Sequence, residues 1–107
     1  MDKLEVNLED VAQKIKNSED IVLVDVREPW ELDIVAFPGA LSIPLGELRD
    51  RVEELPSDKD IILICHHGRR SLSGVAVLRA QGYEKSHSLV GGIDAWARQM
   101  DTSMAIY

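Results

Sequence analysis

The stretch DIILICHHGRRS, residues 60–71, decides the fold of this chain. It opens with consecutive branched apolar residues, a run without alternation that is typical of a strand buried on both faces of a sheet. A short loop with one glycine, Gly68, comes next, and a helical pattern then runs from Arg70 to Gln81 and stops at Gly82. Strand, tight loop and helix N-terminus in this order predict a pocket of backbone N–H groups that favours an anion.

Cys65 ends the predicted strand and is the only cysteine of the chain. A thiol at a helix N-terminus, close to Arg69 and Arg70, is expected to be held as a nucleophilic thiolate. The alternative is a small buried core residue, which is what most free cysteines are. Core packing does not call for a glycine and two arginines directly afterwards. We therefore expect Cys65 to be catalytic.

The spacing of this loop resembles the rhodanese family, whose loop reads roughly C-x-x-G-x-R-S. Cys65, Gly68, Arg70 and Ser71 match that pattern. The related protein phosphatases use C-x5-R, one residue longer, and so form a wider cradle that fits a phosphate. The shorter ring suits a single extra sulfur on the cysteine, whose negative charge the loop amides would stabilise.

Other segments carry the same resemblance in the right order. Residues 25–28, DVRE, match a rhodanese segment, and the GGIDAW run at residues 91–96 is another feature of the family. Residues 36–40, AFPGA, resemble the family's HIPGA with Ala36 in place of the histidine. The resemblance covers roughly residues 4–98.

The resemblance implies an α/β fold: a five-stranded, mainly parallel sheet with helices on both faces. We expect one rhodanese domain over residues 1–107, with a core of about 4–98 and a short C-terminal tail, 99–107. The apolar run at residues 21–24 predicts a second buried parallel strand, which ends at Asp25. Asp25 and Cys65 should then share the edge of the sheet where open α/β folds bind ligands.

Helical spacing predicts several further details. Asn7 is expected to cap the first helix, and Trp30 is expected to be a packing anchor. Two more helices should present apolar stripes to the sheet, with Gly74 allowing close approach. Their members are Leu45, Leu48, Val52 and Leu55 in one helix, and Leu72, Val75, Ala76 and Ala80 in the other.

The resemblance also implies a sulfurtransferase. The Cys65 thiolate would take a sulfane sulfur from thiosulfate or a persulfide donor, carry it as a persulfide, and pass it to a thiol or a sulfur-carrier protein. Arg70 would bind the anionic donor, and Asp25 and Arg27 would support the site. The residues expected to bind substrate and stabilise the persulfide are His66, His67, Gly68, Arg69, Arg70 and Ser71.

Two other classes of protein stay open. One is a non-catalytic binding module of the same fold, which would be expected to lack the cysteine. The other is a cysteine-dependent phosphatase or arsenate reductase. The short loop of six residues from Cys65 to Arg70 argues against that class. No cofactor is expected, and no metal site, because the adjacent residues Cys65, His66 and His67 cannot easily converge on one ion.

The net charge of −7 argues against nucleic acid as a ligand. The charge is uneven along the chain. Residues 1–60 hold 16 acidic and 7 basic side chains, whereas residues 61–107 hold 3 acidic and 5 basic side chains. A basic mouth in an acidic body would attract a small anion. No stretch approaches a membrane span and no leader pattern is present, so no membrane association and a cytoplasmic location are expected.

Overall fold

The computed structural model describes residues 3–107 and places five parallel strands in one sheet. The strand order is β1-β5-β4-β2-β3, and every pairing is parallel. The predicted five-stranded α/β fold is confirmed, with a fully rather than mainly parallel sheet. The strands are β1 Glu5–Val6, β2 Ile21–Asp25, β3 Leu41–Ser42, β4 Asp60–Ile64 and β5 Ser86–Leu89.

Five α-helices connect or follow these strands within residues 3–107. The first begins at its predicted cap, since Asn7 Oδ1 accepts a hydrogen bond from the Asp10 amide at 2.7 Å. The helices are α1 Leu8–Lys16, α2 Pro29–Ile34, α3 Leu45–Leu48, α4 Arg69–Ala80 and α5 Gly92–Gln99. α3 is shorter than the apolar stripe predicts, because the chain continues as a 3₁₀ helix, Arg49–Glu54, in which Arg51 leaves helical values (φ −121°, ψ 15°).

Strand β4 is buried on both faces of the sheet, which explains its unbroken apolar run. Ile61 and Leu63 pack against side chains of α3 and α4 on one face. Ile62 and Ile64 pack against side chains of α1 and α5 on the other face. Because successive side chains of a strand point to opposite faces, one strand serves both cores. The prediction of helices on both faces is confirmed.

The buried face of α4 differs from the predicted one. Its buried residues are Ser71, Gly74, Val75 and Leu78, a spacing of three, four and seven from Ser71. Ala76 and Ala80, which were expected to face inward, are exposed. Ser71 determines which side of α4 faces the sheet, because its hydroxyl is buried beside the end of the sheet. A Cβ on Gly74 would lie 2.9 Å from Leu63 Cδ1, so the predicted close approach at this glycine is present.

The register of the two central strands places their carboxyl ends side by side. Asp25 pairs with Ile64 across the sheet, and the Val26 amide donates to the Ile64 carbonyl at 2.9 Å. Asp25 and Cys65 therefore reach the same edge, as predicted. Among residues 3–107, no helix has the length and apolar character needed to cross a bilayer.

Candidate active site

Cys65 lies immediately after β4, at the start of the loop of residues 65–71, which is called the active loop below. The residue is only 1 % exposed. Its Sγ accepts a hydrogen bond from the Gly68 amide at 3.0 Å and lies 3.3 Å from the Ser71 hydroxyl. Gly68 has φ +95°, a left-handed conformation that favours glycine, and a Cβ there would press on the Gly91 amide. The loop thus turns one amide and one hydroxyl toward the sulfur, as an anion cradle requires.

A second buried hydroxyl, that of Ser88, lies next to the hydroxyl of Ser71. The Ser71 and Ser88 hydroxyls are 2.6 Å apart, and Ser88 Oγ lies 3.4 Å from the Gly68 carbonyl. If Cys65 is a thiol, its S–H donates to the Ser71 hydroxyl. The Ser71 hydroxyl then donates to the Ser88 hydroxyl, which in turn donates to the Gly68 carbonyl. A thiolate reverses the chain: Ser88 donates to Ser71, and Ser71 donates to the sulfur. The pair can therefore serve both protonation states of Cys65. Sequence reasoning missed Ser88, which lies on β5.

The N-terminus of α5 fixes the other end of the active loop. The Ile93 amide donates to the Cys65 carbonyl at 2.8 Å, and the Asp94 amide donates to the His66 carbonyl at 3.1 Å. Gly92 has φ +62°, and a Cβ on it would collide with both of those carbonyl oxygens. Gly92, the first residue of α5, is thus what lets this helix approach the backbone of the nucleophile.

Arg70 is held by a carboxylate from α2. Its Nη1 and Nη2 donate to Glu31 Oε1 and Oε2 at 2.6 and 2.8 Å. The Glu31 side chain is 3 % exposed and that of Arg70 is 37 % exposed. The hydrogen bonds from Arg70 lower the pKa of Glu31 to about 2, against the opposing effect of burial. The same pairing raises the pKa of Arg70. Donor binding by Arg70 stays a prediction, and its guanidinium is shared with Glu31.

The predicted supporting pair, Asp25 and Arg27, is a buried ion pair at the end of β2. Arg27 Nη2 lies 2.7 Å from Asp25 Oδ2, and the Arg27 amide donates to Asp25 Oδ1 at 3.0 Å. The same guanidinium donates to the Val35 carbonyl at 2.8 Å. Burial alone would lower the pKa of Arg27, but its hydrogen bonds to Asp25 and Tyr107 raise it. The pair therefore clamps the segment that carries Glu31.

Tyr107, in the tail that the sequence left unassigned, reaches this site. Its hydroxyl donates to Glu31 Oε2 at 2.7 Å and accepts from Arg27 Nη1 at 3.0 Å. Its ring stacks on His66 with centroids 3.8 Å apart and planes 3° apart. The expectation for Trp30 was wrong: this side chain is 61 % exposed and stands edge-on to Tyr107. No short-range sequence signal points to Tyr107, which lies 76 residues from Glu31.

The outer part of the active loop is exposed. His67 and Arg69 are both on the surface, at the rim of the site. The structure also groups His66 and His67 with Asp94, with one donor atom of each within 4.8 Å of the others. Asp94 was not among the predicted site residues, and Cys65 is not part of this group. His66 Nε2 is already hydrogen-bonded to the backbone oxygen of Tyr107 at 2.8 Å.

Comparison with known proteins agrees with this geometry. Residues 7–99 match the model of the rhodanese-like domain. The chain belongs to the rhodanese-like domain family. A sulfurtransferase of Allochromatium vinosum is 39 % identical over 94 residues, which cover 88 % of each chain. The putative sulfur carrier protein YrkF of Bacillus subtilis is 38 % identical over 92 residues, or 86 % of this chain and 50 % of that protein.

A solved structure has the same fold. The rhodanese-related protein from Thermoplasma volcanium superposes with a TM-score of 0.80 at 33 % identity, covering 90 % of this chain and 92 % of that one. The resemblance predicted from the loop and its companion segments is therefore confirmed. Together with the named sulfurtransferase above, it supports sulfur transfer as the general activity of the chain.

Proposed function

We propose that this protein transfers a sulfane sulfur through a persulfide on Cys65. The donor is thiosulfate or a persulfide, and the acceptor is a thiol or a sulfur-carrier protein. The observation that supports this most directly is the environment of the Cys65 sulfur. It is buried at the end of β4, accepts a hydrogen bond from the Gly68 amide at 3.0 Å and lies 3.3 Å from the Ser71 hydroxyl. Hydrogen-bond donors fixed around a buried sulfur stabilise its anion, whether as thiolate or as persulfide.

The chemistry requires no outside oxidant or reductant. The Cys65 thiolate attacks the outer sulfur of thiosulfate and forms a new S–S bond. The S–S bond of thiosulfate breaks, and sulfite leaves with its electron pair. In the second half, an acceptor thiolate attacks the outer sulfur of the persulfide, and Cys65 leaves as the thiolate that began the cycle.

Positive charge at the mouth supports an anionic donor. Arg70 presents two of its five N–H groups to Glu31 and keeps the remainder for another acceptor. Arg69 and His67 are exposed on the same loop. Since thiosulfate is a dianion, we propose that Arg70 binds it and that the two rim residues steer it.

A protein acceptor is part of the proposal. One relative is named as a putative sulfur carrier protein, and this chain spans half of it. The adenylyltransferase/sulfurtransferase MoeZ of Mycobacterium tuberculosis is also related, at 38 % identity, and this chain spans 23 % of it. These names support delivery of sulfur to a carrier protein. The single-domain organisation and the cytoplasmic location stay predictions.

Mass spectrometry of the intact protein tests the persulfide. The wild-type chain and Cys65→Ser are each incubated with thiosulfate, and their masses are taken before and after a thiol reductant. We expect the wild type to gain one sulfur that the reductant removes, and Cys65→Ser to gain none. Because there is a single cysteine, the site of any added sulfur is unambiguous.

Two further assays on the same preparations, one with an aryl phosphate and one with a sulfur acceptor, separate the rival classes. Hydrolysis of an aryl phosphate without sulfur loading would favour the phosphatase. Neither reaction, in a folded protein with a reduced Cys65, would favour a binding module. A persulfide that forms and then passes to cyanide or to a thiol would support the transferase.

A further inference from the structure

Residues 100–107 follow α5 and lie outside the segment that matches the family, residues 7–99. Even so, Tyr107 contacts the active loop and the carboxylate that holds Arg70. The family match therefore ends before the residue that makes these contacts. They involve the hydroxyl, the ring and the backbone of one residue.

The hydroxyl of Tyr107 bridges two buried charged groups. It donates to Glu31 Oε2 at 2.7 Å and accepts from Arg27 Nη1 at 3.0 Å. Glu31 Oε2 also accepts from Arg70 Nη2 at 2.8 Å. A hydrogen bond to a buried carboxylate restricts where that carboxylate lies. Through Glu31, the hydroxyl therefore also restricts where the Arg70 guanidinium lies.

The ring and backbone of Tyr107 restrain the residue next to the nucleophile. The ring stacks on His66 at 3.8 Å, nearly parallel, and the backbone oxygen of Tyr107 lies 2.8 Å from His66 Nε2. Cys65 is 1 % exposed, so a reagent larger than its own cradle reaches the sulfur when the loop opens locally. Contacts that hold His66 in place oppose that opening.

We propose that Tyr107 is a positioning residue for sulfur transfer: its ring holds the active loop closed through His66, and its hydroxyl orients Arg70 through Glu31. The part that concerns the reaction rests on the proposed function. The part that concerns loop opening does not, and it is tested separately below.

Alkylation of Cys65 measures loop opening without any sulfur transfer. Iodoacetamide labelling rates are compared for the wild type, Tyr107→Ala and Tyr107→Phe under native conditions. Removing the ring should raise the rate about three- to tenfold, because the open form becomes more populated. Tyr107→Phe keeps a ring that can stack on His66, so its rate should stay within about twofold of the wild type.

Ile106→Ala is the matched control, since it removes an exposed side chain from the neighbouring position of the tail. It should leave the labelling rate unchanged. An unchanged rate in Tyr107→Ala would overturn the loop-closing role. So would equal increases in Tyr107→Ala and Ile106→Ala that follow a common loss of melting temperature, because they would reflect stability alone.

Steady-state kinetics with thiosulfate and cyanide test the hydroxyl. Tyr107→Phe should raise the KM for thiosulfate about three- to tenfold and change kcat by less than about twofold. In an Arg70→Ala background the same substitution should change KM by less than about twofold, since the group it orients is gone. Equal effects in both backgrounds would overturn action through Arg70. A wild type that does not transfer sulfur would sink the proposed function, while the labelling rates would still decide the role of the ring.

Discussion

The carboxylate of Glu31 and the guanidinium of Arg70 face each other in a two-point contact, with N···O distances of 2.6 and 2.8 Å. The two residues are 39 positions apart in the chain, so the contact ties α2 to the first turn of α4. An arginine in the active loop is therefore already paired before any donor arrives. A donor anion has to use the N–H groups that Glu31 leaves free.

The first prediction concerns Glu31→Gln and the pH dependence of stability. Because the pKa of Glu31 falls from 4.5 to about 2 on folding, its ionised form favours the folded state. That contribution is fully present above about pH 5 and is lost as the pH falls toward 2. At pH 7 the wild type should be more stable than Glu31→Gln by about 2 kcal/mol. The gap should close in acid, as measured by urea unfolding at several pH values.

Glu84→Gln is the control for that series. Glu84 is an exposed carboxylate in the turn before β5, so its removal should change the unfolding free energy by less than about 0.5 kcal/mol at any pH. If the gap between wild type and Glu31→Gln stayed constant from neutral pH to pH 3, ionisation of Glu31 would not be its source.

The second prediction compares Arg70→Ala with Arg69→Ala. Loss of Arg70 leaves the buried Glu31 carboxylate without its cation, which should cost about 2–4 kcal/mol of stability. If Arg70 also binds the donor, the KM for thiosulfate should rise roughly ten- to a hundredfold, with a smaller change in kcat. Steady-state assays and urea unfolding on the same preparations give both quantities.

Arg69 provides the internal comparison on the same loop. It is exposed, so Arg69→Ala should leave stability nearly unchanged and give a weaker KM defect that depends on salt. A larger thiosulfate defect in Arg69→Ala would assign donor binding to Arg69. If Arg70→Ala lowered kcat and melting temperature together without affecting KM, its role would be limited to fixing the loop against Glu31.

Much of the site's position follows from local sequence patterns. The two continuous apolar runs predict β2 and β4 as buried parallel strands, and their carboxyl ends then bring Asp25 and Cys65 to one edge. Gly68 marks the turn, and Asn7 marks the start of α1. Each of these signals lies within a few residues of the feature it predicts, which is why a single sequence suffices.

The remaining features depend on contacts between distant parts of the chain. Glu31 looks like any acidic residue of a short helix, and nothing local shows that it meets Arg70. Tyr107 lies 80 positions from Arg27, in a segment with no helical or strand period. The face of α4 was mispredicted for the same reason: Ser71 is polar, and only its contact with Ser88 on β5 explains its burial.

The third prediction contrasts two glycines. Gly92→Ala should be destabilising by about 2 kcal/mol or more, since a Cβ at φ +62° would collide with the carbonyl oxygens of Cys65 and His66. Gly46→Ala, in α3, has open space around the new methyl group. It should be neutral or stabilising by up to about 1 kcal/mol. Thermal melts of both variants measure the difference, and equal melting temperatures would show that α5 does not need this close approach.

The last prediction concerns the hydroxyl nearest the nucleophile. Ser71 Oγ lies 3.3 Å from Cys65 Sγ, and in the thiolate form it has to be the donor. Ser71→Ala removes that donor from the anion, while the Gly68 amide, at 3.0 Å, still donates to it. Formation of the Cys65 persulfide from thiosulfate, followed by mass spectrometry in single-turnover experiments near neutral pH, should therefore slow by about ten- to a hundredfold, since a hydrogen bond to a charged group is worth about 1.5–3 kcal/mol.

Ser86→Ala is the control that distinguishes loss of the hydrogen bond to the sulfur from loss of a buried serine hydroxyl in general. Ser86 is as buried as Ser71, but its hydroxyl donates to the Tyr83 carbonyl at 2.9 Å, away from the sulfur. Its removal should lower the melting temperature without changing the rate of persulfide formation relative to wild type. Equal slowing in both variants would mean that the hydroxyl of Ser71 acts on the packing of β5 and α4 and not on the ionised sulfur. Slowing in Ser71→Ala alone would place that hydroxyl among the groups that stabilise the nucleophile.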